Sequence, residues 1–264
     1  MKFVSTGAGL IHYSLEGPDD GPPLVFINSL GLDLRMWDDV ASILRSEYQI
    51  VRYDKRGHGL SDCPPAPYSI DQFVADLHLL IEHLDLPQVV LIGISIGGMI
   101  SMEFAAAHPD LVPYLVVFDT AARIGSAEAW ETRIQDVRRK GMEKMSTVIL
   151  PIWFSSSFAE EQLATHRGYR NSLLRTSLEG YVGACAALRD ADLTQRVTSI
   201  EAKTLIIAGD QDSSTTLEQG QALADAIPNA RFDLLEGAGH LAPVEQPERA
   251  AKMIRRFLEA QEYV

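Results

Sequence analysis

The stretch Val89-Val90-Leu91-Ile92-Gly93-Ile94-Ser95-Ile96-Gly97-Gly98 decides the fold. Its first half is a near-continuous apolar run, the pattern of a strand buried on both faces. The residues after it, through Met99-Ile100-Ser101-Met102-Glu103-Phe104, are compatible with a helix. Gly93 and Gly97 bracket Ser95 at −2 and +2. A sharp strand-to-helix turn strains the backbone of its central residue and brings neighbouring chain very close. Side chains at −2 and +2 would clash there, so glycine is required. The helix start also favours negative charge developing at the serine. The spacing predicts a nucleophile elbow centred on Ser95. The plain alternative is a glycine-rich turn with an incidental serine, and the rest of the chain weighs between them.

Similar apolar runs lie at 24–28 (LVFIN), 48–53 (YQIVRY) and 114–118 (YLVVF), and later at 204–208 (TLIIA) and 231–235 (RFDLL). Helical patterns separate them. Ser69 and Gln72 form a capping box opening a helix with Phe73, Leu77, Leu80, Ile81 and Leu84 on one side. After Pro247, residues Ala250, Met253, Ile254, Phe257 and Leu258 make an amphipathic face. Alternating strands and helices predict an α/β fold with a mostly parallel, doubly wound sheet. From 121 to 197 no β-branched run has strand length, and large side chains are scattered among helical patterns. Residues 1–120 and 198–264 are therefore expected to form the core, with 121–197 a helical lid over the sheet's carboxyl edge. Ligands of such sheets bind beyond that edge.

A serine hydroxyl needs a base. Of the seven histidines, His240 is best placed, after a strand and a Gly237-Ala238-Gly239 turn. His12 falls in an early hairpin strand and His58 in a separate glycine-rich loop. His78, His83 and His108 lie on or at the end of helices, and His166 lies in the lid. The base needs an orienting carboxylate. Asp210 and Asp212 both follow the 204–208 strand; Asp212 is preferred because it lies further out on the loop, and Asp210 is its rival. The order Ser95, Asp212, His240 fits an elbow of this type. An oxyanion hole needs two backbone N–H donors. Ile96, following the nucleophile, is one candidate, and Leu30, in the 28–31 (NSLG) loop, is the other. The 54–59 (DKRGHG) loop is read as structural, with Asp54 bonding local backbone N–H groups.

The chain has 264 residues, 46% of them hydrophobic and 22% charged, with a formal charge of 23 − 36 = −13. That field disfavours nucleic acid and anionic membranes as partners. It does not disfavour a small anion held by one local arginine, because screening weakens distant charges. Cys63 and Cys185 have no metal-ligand or disulfide-motif spacing and are expected to be free thiols. The amino terminus shows no apolar signal core, and no apolar run approaches the roughly 20 residues of a membrane span. A soluble cytoplasmic protein is expected, of open oligomeric state.

Several further segments carry a resemblance. They are 28–31 (NSLG) with Met36 and Trp37, 52–59 (RYDKRGHG), 93–98 (GISIGG), 120–125 (TAARIG) with Trp130, 150–154 (LPIWF), 179–181 (EGY) and 189–193 (RDADL). Running almost end to end, they resemble the 3-oxoadipate enol-lactonases of bacterial aromatic catabolism, within the α/β-hydrolase fold. The Arg-Tyr-Asp and GxSxG motifs are shared by many hydrolases, whereas the Asn-Ser-Leu-Gly loop and the lid motifs are more diagnostic. Many relatives carry His-Gly where this chain has Asn28-Ser29, so the loop's internal hydrogen bonding is expected to differ. Asp119 stands where asparagine is frequent. The resemblance implies ring opening of a small carboxylated lactone through an acyl-enzyme, without metal or organic cofactor. It implies a carboxylate-binding arginine, for which Arg133 in the lid is the candidate; the alternative is a solvated helix charge. Trp130 and Trp153 are expected to line an apolar wall, or simply to pack the lid. A broader carboxylesterase, lactonase or perhydrolase of the same fold is the rival enzyme. A hydrolase-fold scaffold that has lost catalysis is disfavoured by the presence of all three triad candidates.

Overall fold

A computed structural model describes residues 1–263. Eight strands form one sheet: β1 Lys2–Thr6, β2 Gly9–Glu16, β3 Pro23–Ile27, β4 Gln49–Tyr53, β5 Val90–Ile94, β6 Tyr114–Phe118, β7 Lys203–Gly209 and β8 Ala230–Leu235. Their order is β1-β2-β4-β3-β5-β6-β7-β8. The pairs β1/β2 and β2/β4 are antiparallel and the remainder parallel. The sheet is thus α/β and mostly parallel, as the strand patterns predict. β5 sits between β3 and β6 and is buried along its whole length. The edge strand β8 carries Arg231 and Asp233, charges that discourage pairing with another chain.

The helices are α1 Asp38–Leu44, α2 Ile70–His83, α3 Ile96–Ala107, α4 Ala127–Trp153, α5 Ser156–Glu161, α6 Leu163–Arg175, α7 Leu178–Asp190, α8 Leu217–Ala226, α9 Ala242–Glu245 and α10 Pro247–Glu259. Among those flanking the sheet, α1 packs on α10 and α2 on α3. Both bonds of the Ser69–Gln72 capping box are formed at the start of α2. On α10, Ala250, Ile254, Phe257 and Leu258 are buried while Met253 is only half-buried.

Between β6 and β7 the chain makes helices only, α4 to α7. α4 is broken at Gly141 (φ 75°, ψ 162°), where the backbone leaves helical geometry. Its polar caps are conventional: the Ser126 hydroxyl accepts from the Ala129 N–H and the Ser155 hydroxyl caps α5. α4 packs chiefly on α7. No helix among the described residues is long and apolar enough to cross a membrane.

Ile92 is fully buried and is the register partner of Phe26 and Val116. Ile92→Ala removes apolar volume where flanking strands cannot collapse. It is expected to cost about 2–5 kcal/mol of unfolding free energy, read by urea denaturation.

Candidate functional site

Ser95 ends the β5 run and begins the turn into α3. Its backbone lies at φ 56°, ψ −123°, a region an L-residue occupies only when the surroundings impose it. Those surroundings are explicit. The Ser95 N–H donates to the Phe118 carbonyl (3.1 Å), and the Ser95 carbonyl accepts from the Thr120 hydroxyl (2.8 Å) and the Met99 N–H (3.1 Å). A side chain at Gly97 would place its Cβ 2.3 Å from the Ile27 carbonyl oxygen, and one at Gly93 would stand 2.3 Å from the Gly97 oxygen. Both glycines are therefore required by close backbone approach.

His240 follows β8 on the loop leading to α9. Its Nδ1 lies 2.8 Å from Asp212 Oδ2, and both side chains are buried. Asp212 Oδ1 accepts the Ser214 and Thr215 N–H groups (2.7 and 3.2 Å), and Oδ2 accepts the Thr215 hydroxyl (2.6 Å). Burial pushes the Asp212 carboxyl up. The His240 charge and hydrogen bond and the Thr215 and Ser214 donors outweigh it, holding the carboxyl below its ordinary value. Asp210 faces elsewhere, accepting the Gly237 N–H (2.6 Å). Ser95 and His240 line one small cavity of about 60 Å³, together with Leu30, Trp130, Arg133, Trp153 and Tyr181.

The Leu30 loop is held at almost every polar group. The Ser29 N–H contacts Met36 Sδ (3.3 Å), the Gly31 N–H donates to His58 Nε2 (3.0 Å), and the Leu32 N–H donates to the Ser29 carbonyl (3.4 Å). Gly31 lies at φ 76°, and its carbonyl accepts the Thr176 hydroxyl (2.9 Å). The Asn28 amide donates to the Leu32 carbonyl. The Leu30 N–H has no partner among the described residues. Ile96 is the first residue of α3, where an N–H has no intrahelical acceptor. These are two uncommitted donors, one on the loop after β3 and one at the start of α3.

Three buried groups near the site carry no local sequence signal of their role. Lys55 is fully buried, and its ammonium donates to the Ser29 carbonyl (2.6 Å) and, at 3.4 Å, to that of Leu32. Burial lowers its pKa to about 7 despite the carboxylates of Asp54 and Asp33. His58, in the same loop, is pushed well below its ordinary range by burial and by Lys55, so it stays neutral. Its Nδ1 lies 3.1 Å from the Arg56 carbonyl, leaving Nε2 to accept from Gly31. Asp119, at the end of β6, accepts the Gly209 N–H (2.8 Å) on Oδ1, while Oδ2 has no partner. Burial, then the nearby Asp212 charge, raises its carboxyl well above the ordinary range. As read from the sequence, Asp54 takes backbone N–H groups, those of Leu34 and Leu60 (both 2.8 Å).

In the lid, the Trp130 indole N–H donates to the Ile124 carbonyl (2.6 Å) and Trp153 is buried. Arg133 is half-buried; it faces the cavity and also lines a groove on the outer side of α4. Burial pushes the Tyr181 hydroxyl above its ordinary range and the Cys185 thiol up to about 12, and the Arg133 charge acts against both rises. Arg189 pairs with Glu131 (2.7 Å) and Arg138 with Glu179 (3.7 Å), whereas Arg133 has no ion pair among the described residues.

The description "Alpha/beta hydrolase family" fits residues 24–253 of the chain. The chain belongs to that family. It is 37% identical over 238 residues to 3-oxoadipate enol-lactonase 2 of Acinetobacter baylyi, covering 90% of this chain and 89% of that protein. It is 31% identical to 3-oxoadipate enol-lactonase 1 of the same organism, covering 93% of this chain and 92% of the relative. The crystal structure of the enol-lactonase from Burkholderia xenovorans matches with a TM-score of 0.95 at 33% identity, covering 98% of this chain and all of that one. The resemblance read from the motifs thus holds over nearly the whole length, and the chain is a hydrolase.

Asp119 supplies a pH test of its neighbourhood. Its folded-state pKa lies above the ordinary 3.8. Its contribution to stability is present below that value and is lost as pH rises, because only the unfolded chain then releases the proton. Asp119→Asn removes the proton while keeping shape. The stability of the variant relative to the unsubstituted protein is expected to increase from pH 4 to pH 7, followed by thermal melting across that range.

Proposed function

We propose that this hydrolase opens a small enol-lactone bearing a free carboxylate, converting 3-oxoadipate enol-lactone to 3-oxoadipate through an acyl-enzyme in the β-ketoadipate route of aromatic catabolism. The observation that carries the proposal is the placing of Arg133, free of any carboxylate partner among the described residues, on the same cavity as Ser95 and His240. The names of the relatives favour the same lactone.

In this reading Ser95 attacks the ring carbonyl while His240 takes the hydroxyl proton, and Asp212 holds the imidazole in the correct tautomer. Negative charge on the carbonyl oxygen is received by the N–H groups of Leu30 and Ile96. The ring C–O bond breaks, the enolate leaves, and His240 returns the proton. Ketonisation of the released enol draws the opening forward. Water activated by His240 then hydrolyses the acyl-enzyme. Arg133 holds the substrate carboxylate, and Trp130 and Trp153 border the ring.

The apolar part of the cavity wall, with Ile124, Ile149 and Ile152 beside the two tryptophans, favours a second reading as a broader carboxylesterase. Turnover of 3-oxoadipate enol-lactone against simple p-nitrophenyl esters separates the two. Higher kcat/KM for the lactone is expected, and preference for the simple esters would overturn the narrow reading. A fluorophosphonate probe is expected to label Ser95 in folded protein and not in Ser95→Ala. Arg133→Ala is expected to lower kcat/KM for the lactone by about ten- to a hundredfold, the worth of a hydrogen-bonded charge pair. Its effect on an uncharged ester should be under twofold. Equal effects on both substrates would remove Arg133 from the carboxylate site.

A further inference from the structure

We propose that Lys55 is a positioning residue for the oxyanion hole, polarising through a single peptide group the N–H that receives the oxyanion. The inference rests on the reading of Leu30 N–H as an oxyanion donor and goes one bond further back.

The Ser29 carbonyl and the Leu30 N–H belong to the same peptide unit. In a trans peptide they point in opposite directions across a conjugated plane. The Lys55 ammonium donates to that carbonyl at 2.6 Å. The series is therefore Lys55 N–H⁺ to Ser29 O=C, then through the amide to Leu30 N–H, then to the substrate oxygen. A cation at the carbonyl end withdraws electron density from the amide and makes its N–H a stronger donor. Low surrounding dielectric keeps the effect from being screened. Lys55 does not touch substrate. Its bonds to the Ser29 and Leu32 carbonyls also fix the loop, with His58 on the Gly31 N–H between them.

The arrangement differs from a merely structural lysine. A side chain needed only to satisfy two carbonyls gains nothing from a charge, and burying a charge is costly. Here the ammonium is buried completely, against the loop that carries the Leu30 N–H. The groups facing it are the carboxylates of Asp33 and Asp54, which favour the ammonium, and His58, which is neutral. With burial lowering its pKa to about 7, the ammonium is complete below neutrality and gives way to the amine above it.

The test compares Lys55→Met and Lys55→Gln with the unsubstituted protein, using p-nitrophenyl acetate and a small trifluoromethyl ketone whose serine adduct is itself an oxyanion. In Lys55→Met, kcat is expected to fall about tenfold or more with KM within twofold, and the ketone to weaken by the same factor. The unsubstituted enzyme should lose kcat as pH rises through about 7, and both variants should lack that decline. Lys55→Gln keeps a neutral donor, so it decides the matter if Lys55→Met does not melt cooperatively: its kcat should still drop and its alkaline limb still vanish. A kcat within twofold in Lys55→Gln, or an alkaline limb that persists in both variants, overturns the role of Lys55. Fluorophosphonate labelling of Ser95 in the same preparations reports on the underlying site. An unsubstituted protein that neither labels nor turns over overturns both readings, whereas normal labelling and turnover beside unaffected Lys55 variants overturns this one alone.

Discussion

The backbone of Ser95 is the constraint on which the site depends. A residue at φ 56°, ψ −123° costs on the order of 1–3 kcal/mol. It persists because β5 and α3 are both locked, the strand between two parallel neighbours and the helix against the end of β3. Gly97 presses on the Ile27 and Asn28 carbonyls, so the same contact that forces the elbow also sets the start of the Leu30 loop. The serine and its facing loop are positioned by one collision surface. A relaxed elbow would displace both.

Charge is distributed around that elbow by partner count. Asp212 and Asp119 are both buried aspartates, yet their carboxyls are shifted in opposite directions. Asp212 has a histidine, a threonine hydroxyl and two backbone N–H groups to stabilise its anion. Asp119 has one N–H on one oxygen and nothing on the other. Two ionised carboxylates in one apolar region repel, so the less-served one is the one whose carboxyl is pushed up. The overall charge of −13 plays no part at this range.

Much of this was legible from the chain alone, because the signals are local. Strands fully buried in a parallel sheet read as apolar runs, and the Ser69–Gln72 box and the α10 face are set by spacing within one helix. The elbow reads from five residues because its steric cause lies within five residues. What could not be read depends on contacts distant in sequence. Lys55 looks like an ordinary surface lysine in a polar loop; its burial follows from β4 lying beside β3, which puts its ammonium under a loop 26 residues earlier. The choice between Asp210 and Asp212 likewise turns on which loop lies opposite. Asp119 could be noted as an unusual residue, but the rise of its carboxyl comes from burial and from Asp212, on another strand's loop.

The junction between α4 and α5 is knitted to the loop of His240. The Leu241 N–H donates to the Trp153 carbonyl (2.8 Å), and Glu245 Oε1 accepts both the Ser155 N–H (2.9 Å) and the Gly239 N–H (3.0 Å). Gly239 is tight against the same segment, where a Cβ would stand 2.6 Å from the Ser155 nitrogen. The cap is therefore not an interchangeable module. A lid transplanted from a relative with its junction between α4 and α5 would bring a foreign seat for His240, so a change of lid at that junction also reaches the placing of the imidazole.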